Sequence, residues 1–239
     1  MLSAAYLLQQ YWWFVLAMIP ILIFSIRFTS IQTISLFLLL WLTFLGPRLL
    51  PFHQSFAINK SIGIVLFAMC VLLIPHLRRG QHWFQIGQLN RRSYMAVFAL
   101  VVVSACSLLL WSKIAEPNTA GYHRLLPEMS AIAAAVYILL FAVINSAIEE
   151  VVWRGVMLTA LENVFGPGWL ALTIQAVSFG IAHIHGPFLY GWLGVVLTTL
   201  FGVLAGLLRQ KTQGMVAPWA AHAGSDFVIL CLVYWALSG

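Results

Sequence analysis

The sequence predicts an all-α membrane protein, a polytopic bundle of about eight transmembrane helices built around a polar intramembrane cavity. Three observations carry that expectation. Of the 239 residues, 62% are apolar and 8% charged, too few polar groups to cover a water-facing surface, so the bilayer must be the solvent. Apolar runs able to cross a hydrocarbon core, which takes about 20 helical residues, recur along the chain. Three of the six acidic residues, Glu149, Glu150 and Asp226, lie inside such runs, where a charge costs at least about 2–3 kcal/mol and persists beside a partner, a water-filled cavity or a reaction.

The first half contains four expected spans, Tyr11 to Ile26, Ile31 to Leu45, Ser61 to Leu77 and Tyr94 to Trp111. No basic residue precedes the first run and no small-residue cleavage site follows it, so it is expected to remain as a helix and not to be removed as a signal peptide. The interval from Gln81 to Arg92, with Trp83 and Phe84 beside Arg91 and Arg92, suits an anchor at headgroup level. The second half continues with Met129 to Leu161, Trp169 to Ile184, Phe188 to Leu208 and Met215 to Leu237.

Gly166-Pro167-Gly168, Gly186-Pro187 and Gln213-Gly214 break the chain between the later helices, and such short connections make those helices neighbours. Gly191, Gly194, Gly202 and Gly206 are expected to let helices approach closely, within the bundle or in a dimer. Without a repeat, a low-complexity tract or a composition shift, residues 1–239 read as a single membrane domain.

The formal charge of +6 is scattered over short loops, with no dense basic patch, which argues against a nucleic-acid partner. Orientation in the membrane accounts for it. One set of loops would hold Arg27, Arg78, Arg79, Arg91, Arg92, Arg209 and Lys211, the other Arg48, Lys60, Lys113 and Arg124, and the richer set should be cytoplasmic. Cys70, Cys106 and Cys231 fall singly inside apolar runs and read as core packing residues, with no disulfide framework or cysteine metal site.

Helical spacing sets Glu150 and Arg154 on one face at i and i+4, in the favoured order for an ion pair. Glu149 lies about 100° around the helix with no obvious local partner, and is the catalytic candidate. Phe179 with His183, and His222 with Asp226, repeat the i, i+4 spacing on two further helices. Counting 1.5 Å per residue from the basic side puts Glu149 about 18 Å deep, His183 about 22 Å, His222 about 10 Å and Asp226 about 17 Å, compatible with one polar layer.

A carboxylate near two imidazoles can take a proton from water and hand it to a leaving amine, while the histidines donate to the oxyanion of a tetrahedral intermediate. No serine or cysteine sits in a nucleophile elbow or beside a histidine at motif spacing. Glu149, His183 and His222 are also an alternative zinc set. That alternative is disfavoured, because the two-histidine helical signature is missing and His183 and His185 are two apart, on different sides of a helix. No cofactor is expected. His185, beside Gly186 and Pro187, reads as interfacial, and His53, His76, His82 and His123 lie in or near loops.

Glu-Glu-x-x-x-Arg, then Phe-x-x-x-His, then His-x-x-x-Asp, in that order on separate hydrophobic helices and with Trp153 and Gly155 flanking the arginine, resembles the CPBP family, the type II CAAX prenyl endopeptidases. The resemblance covers roughly Met129 to Leu237. It implies an eight-helix intramembrane peptidase, once described as metal-dependent and later argued to be a glutamic protease, with a protease core at 129–237. By motif match Glu149 would be the general base, Glu150 and Arg154 would support it, and His183 would help position the water. His222 with Asp226 would stabilise the oxyanion, with Phe179 and Trp153 as supporting side chains. Family members often carry asparagine at the last motif position. An amide donates a hydrogen bond where an ionised Asp226 cannot, so Asp226 would orient His222 or stay protonated.

The implied partners are membrane lipid and a peptide or protein substrate, lipidated or hydrophobic. The small size and short loops point to a prokaryotic plasma membrane. Two other classes compete. A proton-coupled transporter would use intramembrane acids and histidines as a relay but predicts paired repeats and interrupted helices, and no repeat is present. A non-catalytic scaffold or immunity protein would keep its effect when Glu149 is replaced. Taken singly, the Glu150–Arg154 pair reads as a structural ion pair and each histidine as an interhelical hydrogen bond.

Overall fold

The computed structural model describes residues 35, 38, 39, 56–79, 85–116 and 118–238. The expected span from Tyr11 to Ile26, all but three positions of the span from Ile31 to Leu45, Arg27, Arg48, and Trp83 and Phe84 of the expected anchor lie outside the described residues. Among the described residues the chain is helical, with one isolated antiparallel bridge between His185 and Tyr190. The elements are α1 (Phe56–Leu73), α2 (Pro75–Arg79), α3 (Arg91–Ile114), α4 (Thr119–Leu125), α5 (Ala131–Glu150), a π-helical segment (Val151–Leu158), α6 (Thr159–Phe165), α7 (Trp169–Ala182), α8 (Gly191–Thr212) and α9 (Val216–Ser238).

Among the described residues four helices are long and apolar enough to cross a membrane: Arg91–Ile114, Ala131–Phe165, Gly191–Thr212 and Val216–Ser238. Gly63–Leu73 and Trp169–Ala182 are shorter apolar helices, and the first two of the eight expected spans fall almost entirely outside the described residues. The run from Ser61 to Leu77 is interrupted because α1 stops at Leu73 and α2 begins on Pro75. Proline has no backbone N–H to continue the ladder and suits a first helical position.

The chain divides into two compact units, one formed by Met1–His82 and Gly155–Ala171, the other by Trp83–Arg154 and Leu172–Gly239. In the first, Leu39, Phe67, Val71, Val156, Leu158 and Ala160 are buried. The second is organised around α9, which packs against α5, α3, α8 and α4. One core cluster joins Leu108, Trp111, Tyr122, Leu126, Ile138, Phe188, Leu230 and Val233. Another joins Leu100, Ala205, Leu208, Ala217 and Ala221. Cys106 and Cys231 are exposed on the outside of their helices and Cys70 is half-buried, so none is the core residue expected. A single thiol in an apolar run is as compatible with a lipid-facing stripe as with a core.

α3 opens on a capping box in which Ser93 N donates to Asn90 Oδ1 at 3.0 Å and the Ser93 side chain accepts from the Asn90 backbone, satisfying donors that a helix start leaves orphaned. Arg209 and Lys211, expected in a loop, stand in the last turn of α8, where the helix dipole favours cations. Gln213 closes α8 in the left-handed conformation, φ 53°. Gly214 is needed for another reason: its backbone lies against Gly87 so closely that a Cβ on either would fall onto the other's backbone. Two backbone bonds pin this approach, Gln88 N to Thr212 O at 2.7 Å and Met215 N to Gln85 O at 2.8 Å. Of the four glycines expected to bring helices together, Gly202 lies against Ala176 and Phe179 of α7, Gly194 against the Leu189 backbone, and Gly191 takes a positive φ of 66° at the start of α8.

Candidate active site

The second unit gathers the polar residues of three helices. The last turns of α5 supply Asn145, Glu149 and Glu150, and the adjoining π-helical turn supplies Trp153 and Arg154. A π turn admits one extra residue and re-aims the side chains that follow, and such turns recur at functional sites. Phe179 and His183 come from the end of α7, and His222 and Asp226 from α9. His183 was expected within its helix. It stands just past the end, its backbone N–H bonded to Gly180 O at 2.9 Å, where the chain turns towards Gly186.

Arg154 Nη1 donates to Glu150 Oε1 at 2.7 Å, and His222 Nδ1 lies 2.7 Å from the same oxygen. The pair is sealed: the Arg154 side chain is 0% and Glu150 1% exposed. The guanidinium carbon lies 4.7 Å from the Phe179 ring centroid and 5.9 Å from that of Phe201, within cation–π range. Phe179 also meets His183, His222 and Trp153 edge-to-face, at centroid distances of 4.5, 6.0 and 5.4 Å. One aromatic ring thus braces the arginine and both imidazoles.

Glu149 is in a different environment. Its side chain and that of His183 are each 27% exposed, so of two adjacent carboxylates one is locked in a buried ion pair and the other is partly exposed, with its Oε2 turned inward. Glu149 Oε2 lies 3.7 Å from Nε2 of His183 and 3.7 Å from Nε2 of His222. His183 Nδ1 is 2.8 Å from the Phe179 carbonyl oxygen. A carbonyl can only accept, so Nδ1 carries a proton and Nε2 is the nitrogen turned to Glu149. His222 is ordered the same way by Glu150.

Asp226 Oδ1 lies 3.6 Å from His222 Nε2, and Asp226 Oδ2 accepts a hydrogen bond from Asn145 Nδ2 at 3.0 Å. Asn145 Nδ2 also lies 3.4 Å from Glu149 Oε1. Glu149, which showed no local partner in the sequence, therefore has one a single turn away. Asn145 was missed; its signal was a lone amide at i−4 of Glu149 inside an apolar run. The structure thus brings together Glu149, Glu150, Arg154, His183, His222 and Asp226, with Phe179 and Trp153 packed around them. His185 is left out, in the bridge to Tyr190.

Glu149, His183 and His222 are the side chains that would hold a metal ion. Glu149 Oε2 stands 3.7 Å from Nε2 of each histidine, and among the described residues no group of three or more histidine, cysteine or acidic side chains is arranged as a metal site. Together Glu149, His183 and His222 set a carboxylate facing two imidazoles, one of them backed by a second carboxylate and an arginine.

Residues 131–228 match the family model described as type II CAAX prenyl endopeptidase Rce1-like. The matched segment runs from the first residue of α5 into α9 and contains every residue of the cluster. No curated protein and no solved structure matches the chain.

Proposed function

We propose that the Rce1-like type II CAAX prenyl endopeptidase domain at residues 131–228 makes this membrane protein an intramembrane endopeptidase that hydrolyses peptide bonds in lipidated or hydrophobic substrates, with Glu149 activating the water. The observation that carries the reading is the contrast between neighbouring carboxylates: Glu150 is sealed against Arg154, whereas the Glu149 side chain is 27% exposed and turns its inward oxygen, Oε2, to both imidazoles.

In this reading Glu149 takes a proton from water as the oxygen attacks the substrate carbonyl carbon. The C=O electron pair moves onto oxygen, and the resulting oxyanion is met by His222 in its protonated form. Glu150 supports that form by accepting from Nδ1, and Arg154 holds Glu150 in place. His183 positions the water. Collapse of the intermediate breaks the C–N bond, and Glu149 returns its proton to the leaving nitrogen, so no covalent intermediate and no metal is required. Asp226 orients His222. The substrate meets the site from the membrane, and the location we propose is a prokaryotic plasma membrane.

The test compares membrane and secreted peptides by mass spectrometry from cells with the native protein and with Glu149→Gln. Glutamine keeps the shape and removes the base. At equal protein levels, shortened products should vanish in the variant, and hydrolysis by the purified native protein should persist in a zinc chelator. Identical peptide profiles would sink the reading.

A further inference from the structure

We infer that Asn145 is a positioning residue of this site, whose carboxamide orients the Glu149 carboxylate while tying it to Asp226 on α9. The inference rests on the endopeptidase reading above. Three carboxylates, Glu149, Glu150 and Asp226, converge around His222. Glu150 is held by a charge, through Arg154. The other two share Asn145, 81 residues from Asp226 in sequence.

A carboxamide nitrogen carries two hydrogens. One points to Asp226 Oδ2 at 3.0 Å, and Glu149 Oε1 lies 3.4 Å from the same nitrogen. The donor is neutral, and that matters for the chemistry. A lysine or arginine in its place would hold Glu149 as an ion pair, as Arg154 holds Glu150, and would weaken it as a base. An amide restrains the carboxylate without placing a counter-charge beside it. The oxygen it restrains is Oε1; the other, Oε2, is the one 3.7 Å from both imidazole Nε2 atoms. Rotation of the carboxylate is thereby limited, so that one defined oxygen faces the histidines. Asn145 and Glu149 are one turn apart on α5, so the amide is delivered by the same helix that carries the base.

Two roles can be separated: an interhelical tie from α5 to α9, and orientation of Glu149. Exchanging the residues, Asn145→Asp with Asp226→Asn, keeps one amide and one carboxylate across the same helix pair. It takes the donor away from Glu149. The assay uses the full chain in proteoliposomes, an internally quenched farnesylated peptide ending in cysteine, two aliphatic residues and a variable residue as probe, and unfolding of the same preparations. The peptides lost in Glu149→Gln cells serve as a second substrate set.

Asn145→Ala should lower kcat on the order of 10-fold to 100-fold, the scale of a misplaced reacting group, with KM changed less than about twofold. The exchanged pair should regain native unfolding stability yet keep the low kcat. Asp226→Asn alone, which leaves Asn145 beside Glu149, should lose less activity than Asn145→Ala. The exchanged pair keeps the question answerable if Asn145→Ala does not fold. Native kcat in folded Asn145→Ala, or full recovery of kcat in the exchanged pair, would overturn the inference and leave only a structural tie. If native protein and Glu149→Gln behave alike on both substrate sets, the endopeptidase reading itself fails, and the positioning role with it.

Discussion

Replacing Arg154 by methionine removes a guanidinium that is 0% exposed and leaves Glu150, 1% exposed, without the charge 2.7 Å from its Oε1. Methionine fills most of the volume, so the cost is electrostatic and not a cavity. Breaking a buried pair from one side costs about 3–5 kcal/mol, because the surviving charge stays desolvated. Loss of the stacked contacts with Phe179 and Phe201 adds about 0.5–2 kcal/mol. His222, 2.7 Å from the same oxygen, remains as a second partner and keeps the total near the lower end, about 3–4 kcal/mol. Adding Glu150→Gln removes the stranded charge while keeping an acceptor for His222, so the double variant should recover at least about 2 kcal/mol of that loss. Arg154→Lys keeps the charge and loses the planar fork and ring stacking, and should fall between native and methionine. The assay is equilibrium unfolding in mixed micelles, followed by far-UV circular dichroism and tryptophan fluorescence. Arg154→Met within about 1 kcal/mol of native, or a double variant as unstable as the single, would refute the argument that a one-sided buried charge dominates here.

Gln175 is 0% exposed on α7 and neither amide atom has a hydrogen-bond partner among the described residues. Gln175→Met, nearly the same shape without the polar atoms, should therefore stabilise by about 1–3 kcal/mol in the same unfolding assay; a loss of stability would show that the amide has a role not visible in its contacts. At Gly202 an added Cβ would stand 3.1 Å from Ala176 Cα and 3.2 Å from Phe179 Cδ1. Gly202→Val should push the Phe179 ring from its place and cost about 1–3 kcal/mol, with Gly202→Ala milder, and unchanged unfolding in both would contradict the close approach of α7 and α8.

Much of this site is legible along the chain because helical geometry acts locally. Glu150 with Arg154, and His222 with Asp226, are i, i+4 pairs, and an α-helix brings such residues onto one face whatever surrounds it. The motif order and the acids in apolar runs therefore identified the cluster, and composition alone required a membrane protein. Asn145 was passed over because an amide carries no charge and raises no alarm in an apolar run. The extent of the run from Ser61 to Leu77 was less legible, since a run of apolar residues does not show where Pro75 will interrupt it.

The sequence by itself determined that this protein is helical, sits in a bilayer and carries buried acids and histidines at helical spacing, since each follows from composition and from a period of 3.6. The i, i+4 spacing already paired Glu150 with Arg154; only the tertiary structure decided that this pair is sealed and that Glu149 faces both imidazoles. Residues 149 and 150 are chemically identical and adjacent; Arg154 one turn on singles out Glu150 locally, and the rotation of α5 against α9 decides which faces of the two meet the histidines. That rotation brings His222 to Glu150 across 72 residues and Asp226 to Asn145 across 81. No local rule fixes the azimuth of one helix against another; it is set by packing of the whole interface, the many side chains of α5, α8 and α9 whose fit chooses one rotation over its neighbours.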